Sequence, residues 1–123
     1  MIADRPDGGG AERAPEPLPL EIEPVELAAL RAEPDRCALL DVREPWELAI
    51  CAFAEAIHRP LGALVGQEQA LPRDRPLIVI CHIGRRSSVA TRHLRRLGWS
   101  RAVSLRGGVE AYALEVDPSM ARY

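Results

Sequence analysis

The stretch Pro76-Leu77-Ile78-Val79-Ile80-Cys81-His82-Ile83-Gly84-Arg85-Arg86-Ser87 decides how the rest of the chain is understood. Its first half is a short unbroken apolar run rich in β-branched residues, which predicts a strand covered on both faces. A glycine-bearing loop follows, and Ser87–Leu97 carries a helical pattern closed by Gly98. A buried strand that turns directly into a helix is the repeating unit of a parallel α/β sheet.

Working outward, Cys37-Ala38-Leu39-Leu40-Asp41-Val42 is a second run of the same kind. Shorter strands are predicted at Leu20–Ile22, near Ala56–His58 and at Ala102–Leu105. Between them lie helical patterns. One starts at Pro24, a residue suited to a first helical turn, with Val25, Leu27, Ala28 and Leu30 on one face. Others fall around Trp46–Ile50, over Leu61–Leu71 with breaks at Gly62 and Gly66, and after Gly107-Gly108 at about Val109–Leu114. The expected fold class is α/β, an open parallel sheet of about five strands with helices on both faces. Residues 1–19, rich in Pro, Gly, Asp, Glu and Ala without apolar periodicity, are expected to form a flexible tail, and residues 20–123 the domain.

Composition narrows the chemistry. The 123 residues suffice for one domain, and aromatics are only 4%, so the core rests on Leu, Val, Ile and Ala. A net charge of −2 lacks the basic footprint of a nucleic-acid binder. All sixteen basic residues are Arg, so Schiff-base and lysine-nucleophile mechanisms are excluded. Three cysteines, an odd number without an apolar leader, suggest reduced thiols in the cytoplasm rather than a disulfide framework. No apolar run approaches the roughly eighteen residues of a membrane span. Cys51, Cys81, His82 and His93 have no recognised zinc spacing, and no metal or cofactor is implied.

In open α/β sheets ligands gather at the carboxyl ends of strands, and Cys81 closes the clearest strand. A thiol is a nucleophile as its anion, and favouring that anion by two pKa units takes about 2.7 kcal/mol. Three features of the loop supply such a preference. A helix begins directly after it, with free N–H groups and a dipole that favour negative charge. Gly84 permits the left-handed backbone that lets successive N–H groups converge on one anion. Arg85 and Arg86 add positive charge.

At this point the residues resemble a known family. Cys81-His82-Ile83-Gly84-Arg85-Arg86-Ser87 is similar to the active-site loop of single-domain rhodaneses, commonly Cys-x-x-Gly-x-Arg-Ser. Asp41-Val42-Arg43-Glu44-Pro45-Trp46-Glu47 resembles the family's Asp-Val-Arg-x-x-x-Glu signature. Ala56-Ile57-His58-Arg59-Pro60-Leu61 and Gly107-Gly108-Val109-Glu110-Ala111-Tyr112 resemble its Ala-x-His-x-Pro-Leu and Gly-Gly-x-x-x-aromatic segments. The four motifs occur in the expected order across residues 20–123.

The resemblance implies a sulfurtransferase in which Cys81 takes sulfane sulfur from a small anionic donor such as thiosulfate. A thiol or cyanide then removes it, and a sulfur-accepting protein of the thioredoxin kind is a candidate partner. Backbone N–H groups of His82, Ile83, Gly84, Arg85, Arg86 and Ser87 are expected to cradle the persulfide. Arg86 is expected to hold the loop and attract the donor, and Arg85 is either solvated or a donor contact. His82 either tunes the sulfur and helps bind the donor, or is exposed without a role. Asp41 is read as supporting the loop by bonding its backbone, with Arg43 paired to Glu47; an ion pair without a catalytic role is the alternative. His58 matches a structural position. Cys51 is weighed as a disulfide partner of Cys81.

Two other readings compete. A cysteine-dependent phosphatase of similar architecture places its Arg six positions after the Cys, whereas Arg86 lies five after Cys81 and position 87 is Ser. A non-catalytic binding module usually lacks the loop cysteine, which is present. The sequence also departs from the family at Cys51-Ala52-Phe53-Ala54-Glu55, where a glycine is common, and at Tyr112, where Trp is commoner.

Overall fold

The computed structural model describes residues 18–123. Five parallel strands form one open sheet: β1 (Glu21–Ile22), β2 (Ala38–Asp41), β3 (Ile57–His58), β4 (Leu77–Ile80) and β5 (Ala102–Leu105). Their spatial order is β1-β5-β4-β2-β3. The helices are α1 (Pro24–Arg31), α2 (Pro45–Leu48), α3 (Leu61–Leu64), α4 (Arg85–Arg96) and α5 (Gly108–Glu115), with a 3-10 turn at Glu68–Ala70. Of the two breaks expected in the third helical pattern, the one at Gly62 does not occur, since α3 runs through it to Leu64; the one at Gly66 does, with φ 91°.

The apolar runs of β2, up to Asp41, and of β4 follow from their position between two layers. Leu40, Val42, Leu77 and Val79 face a core shared with Leu64 of α3 and with Ala90 and Leu94 of α4. Leu39, Ile78 and Ile80 face the opposite core, which includes Leu27 of α1 and Val109 and Tyr112 of α5. Adjacent residues of each strand therefore bury against opposite helical layers, because side chains alternate across a sheet. Val25, counted on the apolar face of α1, is exposed instead. Most of the expected tail, residues 1–17, lies outside the described residues. At its inner end Leu18 packs against the second core, and the Pro19 carbonyl accepts a bond from Arg95 Nη2 at 2.8 Å.

The strand order places the site. From β2 the chain moves outward to the edge strand β3, then crosses back to β4 on the other side of β2. Asp41 pairs in register with Ile80, and the Val42 N–H bonds the Ile80 carbonyl at 2.9 Å. The segments leaving β2 and β4 thus emerge side by side at the carboxyl edge, where the chain reverses direction and open sheets form crevices.

Candidate active site

Cys81 follows β4 directly and is buried. Its Sγ accepts the N–H of Gly84 at 3.1 Å and of Ser87 at 3.3 Å. Gly84 stands immediately before α4 at φ 102°, a left-handed conformation that aims its N–H back at the sulfur. Ser87 Oγ lies 3.3 Å from the same sulfur and 2.7 Å from Ser104 Oγ on β5. As a thiol, Cys81 donates to Ser87. As an anion, it accepts from Ser87 while Ser104 completes the relay.

The loop is held from behind by α5. The Val109 and Glu110 N–H groups bond the Cys81 and His82 carbonyls at 2.9 and 3.1 Å. A β-carbon on Gly108 would overlap the His82 carbonyl oxygen and come within 2.5 Å of that of Cys81, so only glycine fits. In a trans peptide N–H and C=O point in opposite directions. Fixing these two carbonyls on α5 therefore turns the N–H groups of His82 and Ile83 away from that helix. Gly84 sits less close, where a β-carbon would lie 3.2 Å from the Gly107 nitrogen.

Charge around the site is arranged differently from the sequence expectation. Arg43 does not form an ion pair with the Glu47 carboxylate; its guanidinium grips Asp41 instead, with both side chains fully buried and contacts of 2.7 to 3.1 Å. Asp41 also accepts the Arg43 N–H at 3.1 Å. Asp41 thus anchors its own segment and makes no bond to the backbone of the Cys81 loop. Arg43 ties down the Cys51 carbonyl at 2.9 Å, and His58 Nε2 donates to the Arg43 carbonyl at 2.7 Å. The physical reason is spacing: residues 41 and 43 point to the same side of extended chain, whereas Glu47 is turned away by α2.

Glu47 is the partner of Arg86. Its carboxylate receives both terminal nitrogens of the guanidinium, at 2.7 and 2.8 Å, and caps α2 through the Glu44 N–H at 2.9 Å. The Arg86 fork and, against burial, the Glu44 and Tyr123 bonds bring the Glu47 carboxyl down to about 2. Arg86 remains about one-third exposed, while Glu47 is buried. Arg85 and Ile83 are exposed.

Two contributors escaped the motifs. Ser104 is marked only as a polar residue inside a buried strand. Tyr123 lies beyond the last signature, yet its ring stacks on His82 with centroids 3.9 Å apart and planes 11° from parallel. Its hydroxyl donates to Glu47 Oε1 at 2.8 Å and accepts from Arg43 Nη1 at 3.0 Å. All three cysteines are free, and Cys51 packs in the core on the opposite side of the sheet from Cys81.

The chain as a whole has counterparts among known proteins. Residues 23–115 match the Rhodanese-like domain family. The chain belongs to that family. It is 31% identical over 101 residues to a protein named "Sulfurtransferase" from Allochromatium vinosum, covering 82% of this chain and 94% of that one. It is 34% identical to the "Probable adenylyltransferase/sulfurtransferase MoeZ" of Mycobacterium tuberculosis, covering 83% of this chain but only 26% of that much longer protein. Among solved structures, a rhodanese-related protein from Thermoplasma volcanium superposes with a TM-score of 0.71 and 32% identity, covering 78% of this chain and 92% of that one. As a rhodanese-like protein the chain shares the parallel sheet of these neighbours. Among the described residues no helix is long and apolar enough to cross a membrane.

Proposed function

We propose that this rhodanese-like protein is a sulfurtransferase that carries sulfane sulfur on Cys81. The observation that carries this reading is the pair of N–H groups, from Gly84 and Ser87, aimed at a sulfur that also touches a serine relay. Similarity to proteins named sulfurtransferases supports the same class of reaction. In the first step the Cys81 thiolate attacks the outer sulfur of thiosulfate. The donor's S–S bond breaks, sulfite leaves with the electron pair, and Cys81 holds a persulfide. In the second step cyanide or an acceptor thiolate attacks the outer sulfur, and the electron pair returns to Cys81.

The proposed roles follow from what each group can donate. N–H groups of residues 82–87 not engaged by Sγ would receive the outer sulfur of the persulfide, as an oxyanion hole receives oxygen. Arg86 contributes positive potential at the mouth while Glu47 fixes its orientation. Asp41 and Arg43 support the loop at one remove, by fixing the segment that carries Glu47. A small anionic donor suits this electrostatics, and free thiols suit the reducing cytoplasm. A sulfur-accepting protein is a further proposed acceptor.

Mass spectrometry after treatment with thiosulfate should show one added sulfur on the Cys81 peptide, removed by cyanide and absent in Cys81→Ser. No adduct from thiosulfate or glutathione persulfide would leave a binding module as the better reading. Turnover of a phosphomonoester alone would favour a phosphatase.

A further inference from the structure

Residues 117–123 contain no helix or strand, yet Asp117, Met120, Arg122 and Tyr123 each tie them down. Asp117 Oδ1 accepts the Ser119 N–H at 3.1 Å and the Ser119 hydroxyl at 2.5 Å, closing a turn. Met120 packs into the core beside α5. Arg122 then forks onto Glu110 in the first turn of α5, at 2.6 to 3.2 Å. The segment has therefore retraced α5 to the end that holds the Cys81 loop. There Tyr123 meets His82 face to face, lies 5.9 Å from the exposed Trp46 edge-on, and bridges Arg43 and Glu47 with its hydroxyl.

We propose that Tyr123 is a positioning residue that sets which sulfur donors reach Cys81. Its ring fixes the His82 side of the mouth, and its hydroxyl holds the carboxylate that orients Arg86. The proposal rests on the sulfurtransferase reading for its substrate but not for its geometry. Two consequences separate the ring from the hydroxyl. The stacked ring restrains His82, the residue directly after the nucleophile, and so restricts bulky donors. The hydroxyl supplies one of the four bonds to Glu47, so its loss loosens the Arg86 fork and weakens attraction of a small anion.

The test uses the full 123-residue chain with Tyr123→Phe and Tyr123→Ala, two donors and two alkylating reagents. Tyr123→Ala should shift the ratio of kcat/KM for glutathione persulfide over thiosulfate about tenfold towards the larger donor, the discrimination a lost pocket wall gives. Tyr123→Phe should bring that ratio back to within about threefold of wild type, the remainder being a KM for thiosulfate raised about threefold with little change in kcat, the sign of lost ground-state binding. Parallel losses for both donors in Tyr123→Ala, with no change of ratio, would show that the residue only stabilises the fold and would overturn the proposal. Alkylation of Cys81, read by peptide mass spectrometry, uses iodoacetamide and a bulky maleimide. The bulky reagent should gain relative to the small one in Tyr123→Ala alone, and an unchanged ratio counts against the proposal. If the wild-type protein transfers sulfur from neither donor, the sulfurtransferase reading fails, and the alkylation ratio still judges Tyr123.

Discussion

Two ends of the same sheet each present a cysteine among arginines and a glutamate, and they surround it differently. At the amino edge a cleft of about 550 Å³ is lined by Cys37, Arg31, Arg75 and Glu55 among others. At the carboxyl edge the buried Cys81 sits near the Arg86–Glu47 pair. Burial, followed by the nearby Glu55 charge, pushes the Cys37 thiol up and disfavours its anion. Arg31, which could oppose this, is committed to Glu55 at 2.6 Å. At Cys81 the decisive groups are backbone N–H donors fixed on the sulfur by a left-handed glycine and a helix start. Oriented N–H dipoles at hydrogen-bond distance thus distinguish Cys81 from Cys37, while the nearby charges Arg31 and Arg86 are each paired with a glutamate.

The sharpest way to break this contrast is to exchange each sulfur for oxygen. Cys81→Ser should lower sulfur transfer from thiosulfate to cyanide by about 10³-fold or more, as loss of a nucleophile does. Cys37→Ser should stay within about twofold of wild type, as a residue remote from the chemistry does. Equal losses in both would show that the amino-edge cleft takes part in the reaction.

Glycines give the next largest effect. Gly108→Ala should cost about 3 kcal/mol in urea unfolding, because the new methyl collides with the carbonyls of the active loop. Gly66→Ala, at φ 91° with open space around it, should cost about 1 kcal/mol from backbone strain alone. Similar costs would mean that the Cys81 loop yields as readily as a surface turn.

The carboxylates should differ least. Glu47, buried and brought down to about 2 from 4.5, adds stability that is present above pH 4.5 and lost as pH falls towards 2. Glu47→Gln should therefore destabilise the fold by about 2 to 3 kcal/mol at neutral pH. The gap from wild type should close through that acid window in pH-dependent denaturation. Glu55 is also held below its ordinary value by Arg31, but it is half exposed, and Glu55→Gln should cost under about 1 kcal/mol.

Much of this was legible in the chain because it is local. The runs 37–42 and 76–81 are apolar on both sides, Asp41 excepted, since both faces of β2 and β4 are covered. Gly84 and Gly107-Gly108 announce turns because other residues do not tolerate their backbone angles or the close approach of the loop. Strand, turn and helix start are set by neighbours in sequence, so the order Cys81, Gly84, Ser87 already implied N–H groups around a sulfur.

Pairing between distant side chains was not legible. Arg43 and Arg86 are equally charged, Asp41 and Glu47 are equal acceptors, and Coulomb attraction alone does not choose among them. Only the neighbouring exits of β2 and β4, with α2 turning Glu47 towards α4, give Glu47 to Arg86 and leave Arg43 to Asp41. Tyr123 carries no local signal at all. Its place on His82 depends on the chain doubling back along α5, a path fixed by Met120 in the core and Arg122 on Glu110. The sequence by itself determined where backbone N–H groups converge on a sulfur, since that rests on contiguous backbone. The tertiary structure decided which side chains surround it, since those contacts join segments 17 to 80 residues apart.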